Sequence, residues 1–437
     1  MYGVKRLAWI VLLAAYAHAA AEPHDDLLTL YTQARASNPT LQRAVALAGS
    51  ASAGADGARA ALLPQWTLSA TPQRIAGVTT NTATSQINQA LVNHAAIATW
   101  QAARADASAQ EASLRAAEQA LLAEVAVRYF ALLTAQNQLA TLAANEAAFA
   151  ELVRQSEVRV AERLSAQVDV DQARAFFGLA QGTAQQAKEA LADARQAMQQ
   201  LTGQQPLPLK PLQQGWHPAA PLRTSPAAWV AEAMTGHPLL HADSASVAAA
   251  QERIEAARSA NLPTLGLAVT TERAPLAGLP TSTQTTYTSV GLQLTIPLFA
   301  GGATFARQKQ ATYSRDAEAA QLEATRRDLV RNVEAQWQAA QGSVSQIATA
   351  EVAAVASERA LAATRVGQQQ GTRSLTDVLN AIQTRGQTQL QLSQARHRHV
   401  VALLLLKQSV GRLSIDDLAN VNAQLEGSPH ETEKNAR

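Results

Sequence analysis

The side chains here that could do chemistry are few and scattered. The densest cluster is His397-Arg398-His399. On a helix, residues i and i+2 point to different faces, so these imidazoles cannot converge on one metal or one proton, and a solvated helix surface accounts for them. His237 and His241 have the spacing of a ligand pair, but Pro238 starts a helix between them and the chain has 0 cysteines. No Gly-rich phosphate loop, activated nucleophile or paired-carboxylate motif stands out, and an enzyme needs such groups to converge. The sequence therefore predicts no enzyme, no metal site and no cofactor. Two acids do sit where helices begin. Asp169 is one, and Asp377, three residues after Ser374, is the other. Ser374 to Asp377 has capping-box spacing, and the helix dipole favours an acid in the first turn. Without further information, capping is the preferred role for both.

The elements that carry these residues follow two periods. In Tyr287 to Gly302, Val290, Leu292, Leu294 and Ile296 alternate with Gly291, Gln293 and Thr295, which is the pattern of a strand with one apolar face. Pro297 stops the ladder, and Gly301-Gly302 frees the backbone to turn. The stretch 303–369 then has no proline and a helical period. At about 1.5 Å per residue such a helix is on the order of 100 Å long, far more than a compact domain needs. A second such stretch, 95–160, carries Leu114, Leu121, Leu132, Leu139, Val153 and Val160 in steps of seven or eleven and their multiples, suited to helices packed nearly parallel.

Composition limits the class. The chain has 437 residues and only 4% aromatics, poor material for one large globular core and good material for close helix packing. Residues 1–21 read as a secretory signal: Lys5-Arg6, an apolar core, then small-x-small cleavage sites. Removing Lys5 and Arg6 leaves 34 basic against 34 acidic residues, and no basic stripe with interleaved aromatics argues for nucleic acid. No later run approaches the ~20 apolar residues of a membrane helix, so any insertion has to use strands.

The chain also repeats itself. Asn38-Pro39-Thr40-Leu41 returns as His237-Pro238-Leu239-Leu240, and Leu63-Pro64-Gln65-Trp66 as Leu262-Pro263-Thr264-Leu265, both offset by 199. Asp169-Val170 with Ala173 returns as Asp377-Val378 with Ala381, offset by 208. The predicted organisation follows. A first repeat, 22–201, has a helix, strands 65–71 and 85–91 around a loop, long helix 95–160 and short helix 169–201. A Pro-rich linker, 202–226, holds six of the 16 prolines. A second repeat, 227–422, has a helix, strands 264–271 and 287–297 around a longer loop, long helix 303–369 and short helix 377–410. Residues 423–437 read as a disordered tail. Four strands cannot close a barrel, and open edges cannot face lipid, so copies of the chain must pool strands. Two copies give eight strands and three give twelve.

The repeat plan, the junction Pro297-Leu298-Phe299-Ala300-Gly301-Gly302 and above all the run Gly371 to Ala381 resemble the TolC family of outer-membrane channel proteins, across 25–422. The resemblance implies a mainly α fold with membrane β. As a homotrimer it forms a 12-stranded outer-membrane barrel continued by a periplasmic α-helical barrel. It implies an exit duct for efflux or type I secretion in the outer membrane of a Gram-negative bacterium. The partners would be a periplasmic adaptor (membrane fusion) protein, an inner-membrane transporter and outer-membrane lipid. It also implies a gate at the periplasmic tip. Asp377 matches one constriction ring, and Asn380 stands where a second ring has an acid. Arg373 and Asp169 match a polar latch, and Gln368 replaces a tyrosine of a further link. One carboxylate per chain would give a ring of three. Val290, Leu292, Leu294 and Ile296 would face lipid. The rival from another class is a soluble periplasmic coiled-coil adaptor or scaffold, which needs no such strand pairs.

Overall fold

The computed structural model describes residues 24–75, 78–213, 215–218, 225–275 and 284–426. The expected signal segment, the longer loop of the second repeat at 276–283, and residues 427–437 lie outside the described residues. Helices α1 (Leu27–Ser37) and α2 (Pro39–Ala60) lead into strands β1 (Gln65–Ile75) and β2 (Val78–Val92), then α3 (His94–Ala161) and α4 (Gln167–Thr202). The same order follows with α5 (Pro226–Gly236), α6 (Pro238–Ser259), β3 (Thr264–Pro275), β4 (Gln284–Thr295), α7 (Ala303–Gln369) and α8 (Leu375–Ser409), before a short α9 (Ile415–Asn422). Proline sets the first break in each repeat. Asn38 and His237 are held extended because a proline follows them, and each ends one helix and begins the next. His237 serves as the cap of α6, its Nδ1 accepting the Leu239 N–H at 3.2 Å.

The strands are longer than the sequence predicts. The expected loop at 72–85 is mostly strand, with Thr71 opposite Thr82, Gln73 opposite Thr80 and Arg74 opposite Thr79. Polar residues on both faces leave no alternation to read, yet β-branched threonines fit a pleated ladder. Within the single chain Pro72 lies on an edge strand, where a proline is tolerated. In the second repeat β3 continues to Pro275, whereas β4 begins at Gln284 and stops at Thr295, so Ile296 and Pro297 fall just past its end.

The chain divides into two compact units. One, Pro39–Glu118 with Trp229–Asn332, contains the sheet. Its order is β1-β2-β3-β4, antiparallel throughout, with β1 and β4 each paired on one side only among the described residues. Because directly opposed residues share a face, the register assembles rows. Trp66, Ile87, Val269 and Val290 form one apolar row across all four strands. Leu267 and Leu292, then Leu265 and Leu294, extend that face on β3 and β4. The opposite face carries Thr67, Gln86, Thr270 and Ser289. Trp66, Leu68, Val290 and Leu292 are 74%, 76%, 68% and 68% exposed in the single chain, so this apolar face is uncovered.

The other unit, running to Asn38, then Gln119–Ala228 and from Val333, is helical. The Pro-rich linker is pinned in it by both ends of the described chain. Leu207 N–H donates to Asp25 Oδ2 at 2.8 Å, and Leu209 bridges Asp25. Leu212 bridges Leu425, and Trp216 Nε1 donates to Gln424 Oε1 at 2.6 Å. Residues 423–426 are therefore ordered by pairing, contrary to the expected tail, and the partner lies some 210 residues away where no local pattern reveals it.

His397 and His399 are also not on a solvated surface. They are 5% and 0% exposed. The i and i+2 geometry sends them to opposite sides of α8, and a long helix packs on each side. His397 Nδ1 lies 2.7 Å from Thr134 Oγ1 of α3, beside Phe130. His399 Nδ1 lies 2.7 Å from Ser343 Oγ of α7, with Trp216 against its ring. Each hydroxyl already donates to a carbonyl of its own helix, Phe130 and Ala340, so each imidazole donates to the hydroxyl. Burial, and then the neighbouring Arg396, push the His397 pKa down from 6.5 to about 4. The folded state thus resists a proton that the unfolded chain accepts. This gives no pH dependence above the ordinary histidine range and a loss of about 1.4 kcal/mol per pH unit as pH falls from 6.5 toward 4. Thermal or denaturant unfolding of the parent and His397→Gln at pH 7.5, 6 and 5 should show the parent losing ground to the variant as pH drops. Parallel curves would contradict the buried neutral imidazole.

Candidate functional site at the hairpin tips

In the helical unit, α3 turns into α4 and α7 into α8 through two short connections that are matched in detail. In the first, Arg163 N–H donates to Val160 O at 3.0 Å and Leu164 N–H to Arg159 O at 2.8 Å. In the second, Gly371 N–H donates to Gln368 O at 3.1 Å and Thr372 N–H to Gly367 O at 2.8 Å. Both are Schellman C-caps, which need a left-handed residue just past the helix. Gly371 supplies it at φ 74°. Arg163, 208 residues earlier, takes the same conformation at φ 61° and is the non-glycine residue with positive φ among the described residues. A side chain there is strained, because its Cβ crowds the following carbonyl.

The starts of α4 and α8 differ more. At the second tip, Ser374 Oγ accepts the Asp377 N–H at 3.1 Å and Asp377 Oδ2 accepts the Ser374 N–H at 3.0 Å, a complete capping box. Those Ser374 hydrogen bonds, with help from nearby Arg373, hold the Asp377 carboxyl below its ordinary value. At the first tip the cap position is Ala166, which offers no side-chain bond. Asp169 instead accepts the Ser165 hydroxyl. Within the chain no ion pair joins Asp169 to Arg373, among the described residues. Asn380 is exposed one turn beyond Asp377. Gln368 contributes its carbonyl to the turn.

Beneath the tips the four helices share a small core. Phe149 and Leu152 of α3, Ala180 of α4, Leu361 of α7, and Val378, Leu379 and Ile382 of α8 are buried together, with Phe176 packed against them. Arg174 pairs with Glu157 at 2.7 Å across the first hairpin and Arg385 with Glu358 at 2.6 Å across the second. Between hairpins, Thr376 Oγ1 donates to Gln172 Oε1 at 2.5 Å. Gly386 lets Asn145 of α3 lie against the α8 backbone, since a Cβ there would stand 2.2 Å from Asn145 Nδ2. The structure thus brings Arg373 and Asp377 together at one tip and leaves Asp169 at the other. Sequence reasoning passed over Arg163, Ser165 and Gly367. The 208-residue offset, which aligns Arg163 with Gly371, was the signal that could have found the strained position.

Comparisons with known proteins follow this architecture. The sequence matches the model of the family described as "Outer membrane efflux protein" over residues 30–204 and 229–412. It is similar to outer membrane protein TolC of Vibrio cholerae, 29% identical over 415 residues that span 92% of this chain and 94% of that protein. It is also similar to the alkaline protease secretion protein AprF of Pseudomonas aeruginosa, 27% identical over 344 residues, 78% of this chain and 71% of that one. Among solved structures, the CmeC outer membrane channel of Campylobacter jejuni shares the fold with a TM-score of 0.78 at 17% identity, covering 93% of this chain and 91% of that one.

The tip geometry itself carries a prediction. Arg163→Gly relieves the left-handed strain and should stabilise the protein by about 1 kcal/mol per chain, read as a raised unfolding midpoint. Gly371→Ala should do the reverse. If Arg163→Gly lowered the midpoint, the Arg163 side chain would be supplying contacts that outweigh the strain.

Proposed function

Since the chain belongs to the outer membrane efflux protein family, we propose that its hairpin tips form the gated inner end of an exit duct built from three copies. The protein is an outer-membrane channel of a Gram-negative bacterium and not an enzyme. The single observation that carries the barrel is the sheet with a continuous apolar row and two open edges. Hydrocarbon tolerates no unpaired N–H or C=O, so β1 of one copy pairs with β4 of the next, and three copies close twelve strands around a lumen. Val290, Leu292 and Leu294 then face lipid, with Ile296 at the edge where the strand ends. Pro297 ends the strand, and Gly301 and Gly302, at φ 61° and 83°, turn the backbone into α7.

At the tips, Asp377 lines the constriction in three copies and Asn380 adds a polar, uncharged ring. Arg373 reaches Asp169 of a neighbouring copy, which is consistent with their lacking an ion pair inside one chain. An exposed Asp–Arg pair is worth about 0–1 kcal/mol. Three such pairs make a weak latch, which a docking partner undoes by binding the open tip better. Gln368 contributes its carbonyl to the turn. The periplasmic partners are an adaptor and an inner-membrane transporter. The AprF relative carries protease secretion in its name, and the BepC relative of Brucella suis carries efflux. The duct therefore serves either class of cargo according to the transporter it joins.

Two experiments test this. A mid-bilayer arginine costs roughly 2–4 kcal/mol per copy, so Leu292→Arg should reduce outer-membrane trimer on gels while Gln293→Arg, on the other face, assembles. Equal behaviour of the two would remove the assigned lipid face. In planar bilayers Arg373→Ala should raise the resting conductance, and an unchanged conductance would remove the latch.

A further inference from the structure

Arg373 lies across a residue with no side chain. A Cβ built on Gly367, in the last turn of α7, would stand 2.7 Å from Arg373 Cγ and 3.4 Å from Arg373 Cβ. Carbon atoms in contact sit about 3.5–4.0 Å apart, so Cγ would have to turn away and would swing the guanidinium with it. The backbone is tied to the same place. The Gly367 carbonyl accepts the Thr372 N–H at 2.8 Å, the Arg373 N–H at 3.2 Å and the Thr372 hydroxyl at 3.1 Å. Both the main chain and the stem of Arg373 therefore rest on this one glycine.

The other hairpin is an internal control. At the 208-residue offset, Gly367 corresponds to Arg159 and Arg373 to Ser165. The turn is the same, with the Arg159 carbonyl accepting the Leu164 N–H at 2.8 Å. The sizes are exchanged: where the last-turn residue is large the returning residue is small, and where the returning residue is arginine the last-turn residue is glycine. Neither hairpin has two large residues. A glycine in the last turn of a long helix costs helix propensity, and this pairing gives the reason for it.

We infer that Gly367 is a positioning residue, and that the missing Cβ sets the direction in which Arg373 leaves the tip and so whether its guanidinium reaches the neighbouring copy. The inference rests on the latch proposed above. The test uses the full-length trimer in planar bilayers, with Arg373→Ala, Gly367→Ala, the double variant, and Gly342→Ala as a control in the same helix, where nothing lies within 4 Å of an added Cβ. Gly367→Ala should raise resting conductance by the same factor as Arg373→Ala. The double variant should add nothing further, and Gly342→Ala should conduct like the parent. If Gly367→Ala conducts like the parent while Arg373→Ala does not, the positioning role is overturned and the latch stands. If Arg373→Ala itself has no effect, the latch falls and takes the inference with it. A double variant that conducts well beyond Arg373→Ala would show that Gly367 acts by another route and would also overturn the inference. Should Gly367→Ala fail to give trimer on gels, adding Arg373→Ala removes the stem it collides with and should restore assembly. Continued failure of the double variant would place the collision elsewhere and sink the inference.

Discussion

A strand edge in hydrocarbon must find another edge, and that demand reaches through the rest of this molecule. Water satisfies unpaired backbone groups at a soluble sheet edge, and lipid does not. Among the described residues the chain presents four strands, with edges at β1 and β4. The pairing of β2 with β3 joins the two repeats within one sheet, so each repeat supplies one inner strand and one edge. Duplication thereby makes a piece with two complementary edges, and a ring of copies is what closes it. A coiled-coil adaptor has no use for such a sheet.

The two strand-to-helix passages solve the same problem differently. After β2, Asn93 caps α3 by accepting the Ala96 N–H at 3.0 Å. After β4, a proline stops the ladder and two left-handed glycines turn the backbone. The hairpin tips differ in the same manner. One is an orthodox glycine cap followed by a full capping box, and the other is an arginine forced into the glycine conformation and followed by an alanine that cannot cap. Asp377 holds a helix start and stands at the proposed constriction at once. These roles are compatible, because a carboxylate that accepts one backbone N–H keeps lone pairs for the lumen.

The helical unit is organised around α8, which sits between α3 and α7. That position explains why adjacent polar residues have opposite surroundings. His397 and His399 are buried on opposite faces, while Arg398 between them is not buried. Each imidazole donates to a hydroxyl that is itself anchored to its helix. The linker gains its order from outside itself, through Asp25 at one end of the described chain and Leu425 at the other.

Much of this was legible in residue order, because periodicity and proline are local signals. The alternation of Val290, Leu292 and Leu294, the proline-free runs that became α3 and α7, the breaks at Pro39 and Pro238, and the Ser374 to Asp377 cap all act over a few residues. A sequence shows such effects directly. What stayed hidden depends on partners far along the chain. The threonines at 79–84 are an exception: they pair with β1 close by, and they read as loop because polar residues on both faces leave no alternation. His397 and His399 read as solvated because amphipathicity assumes one dry face, and α8 has two at that level, with Arg398 left exposed between them. Asp169 and Arg373 are paired only by resemblance, and the folded chain places them on separate tips with no ion pair joining them within one chain, among the described residues. Gly367 is an unremarked glycine until Arg373 returns across it. Sequence by itself determined where most helices and strands lie and that they occur twice. Tertiary structure decided which faces are covered and which groups meet, because burial belongs to pairs of surfaces and not to either segment alone.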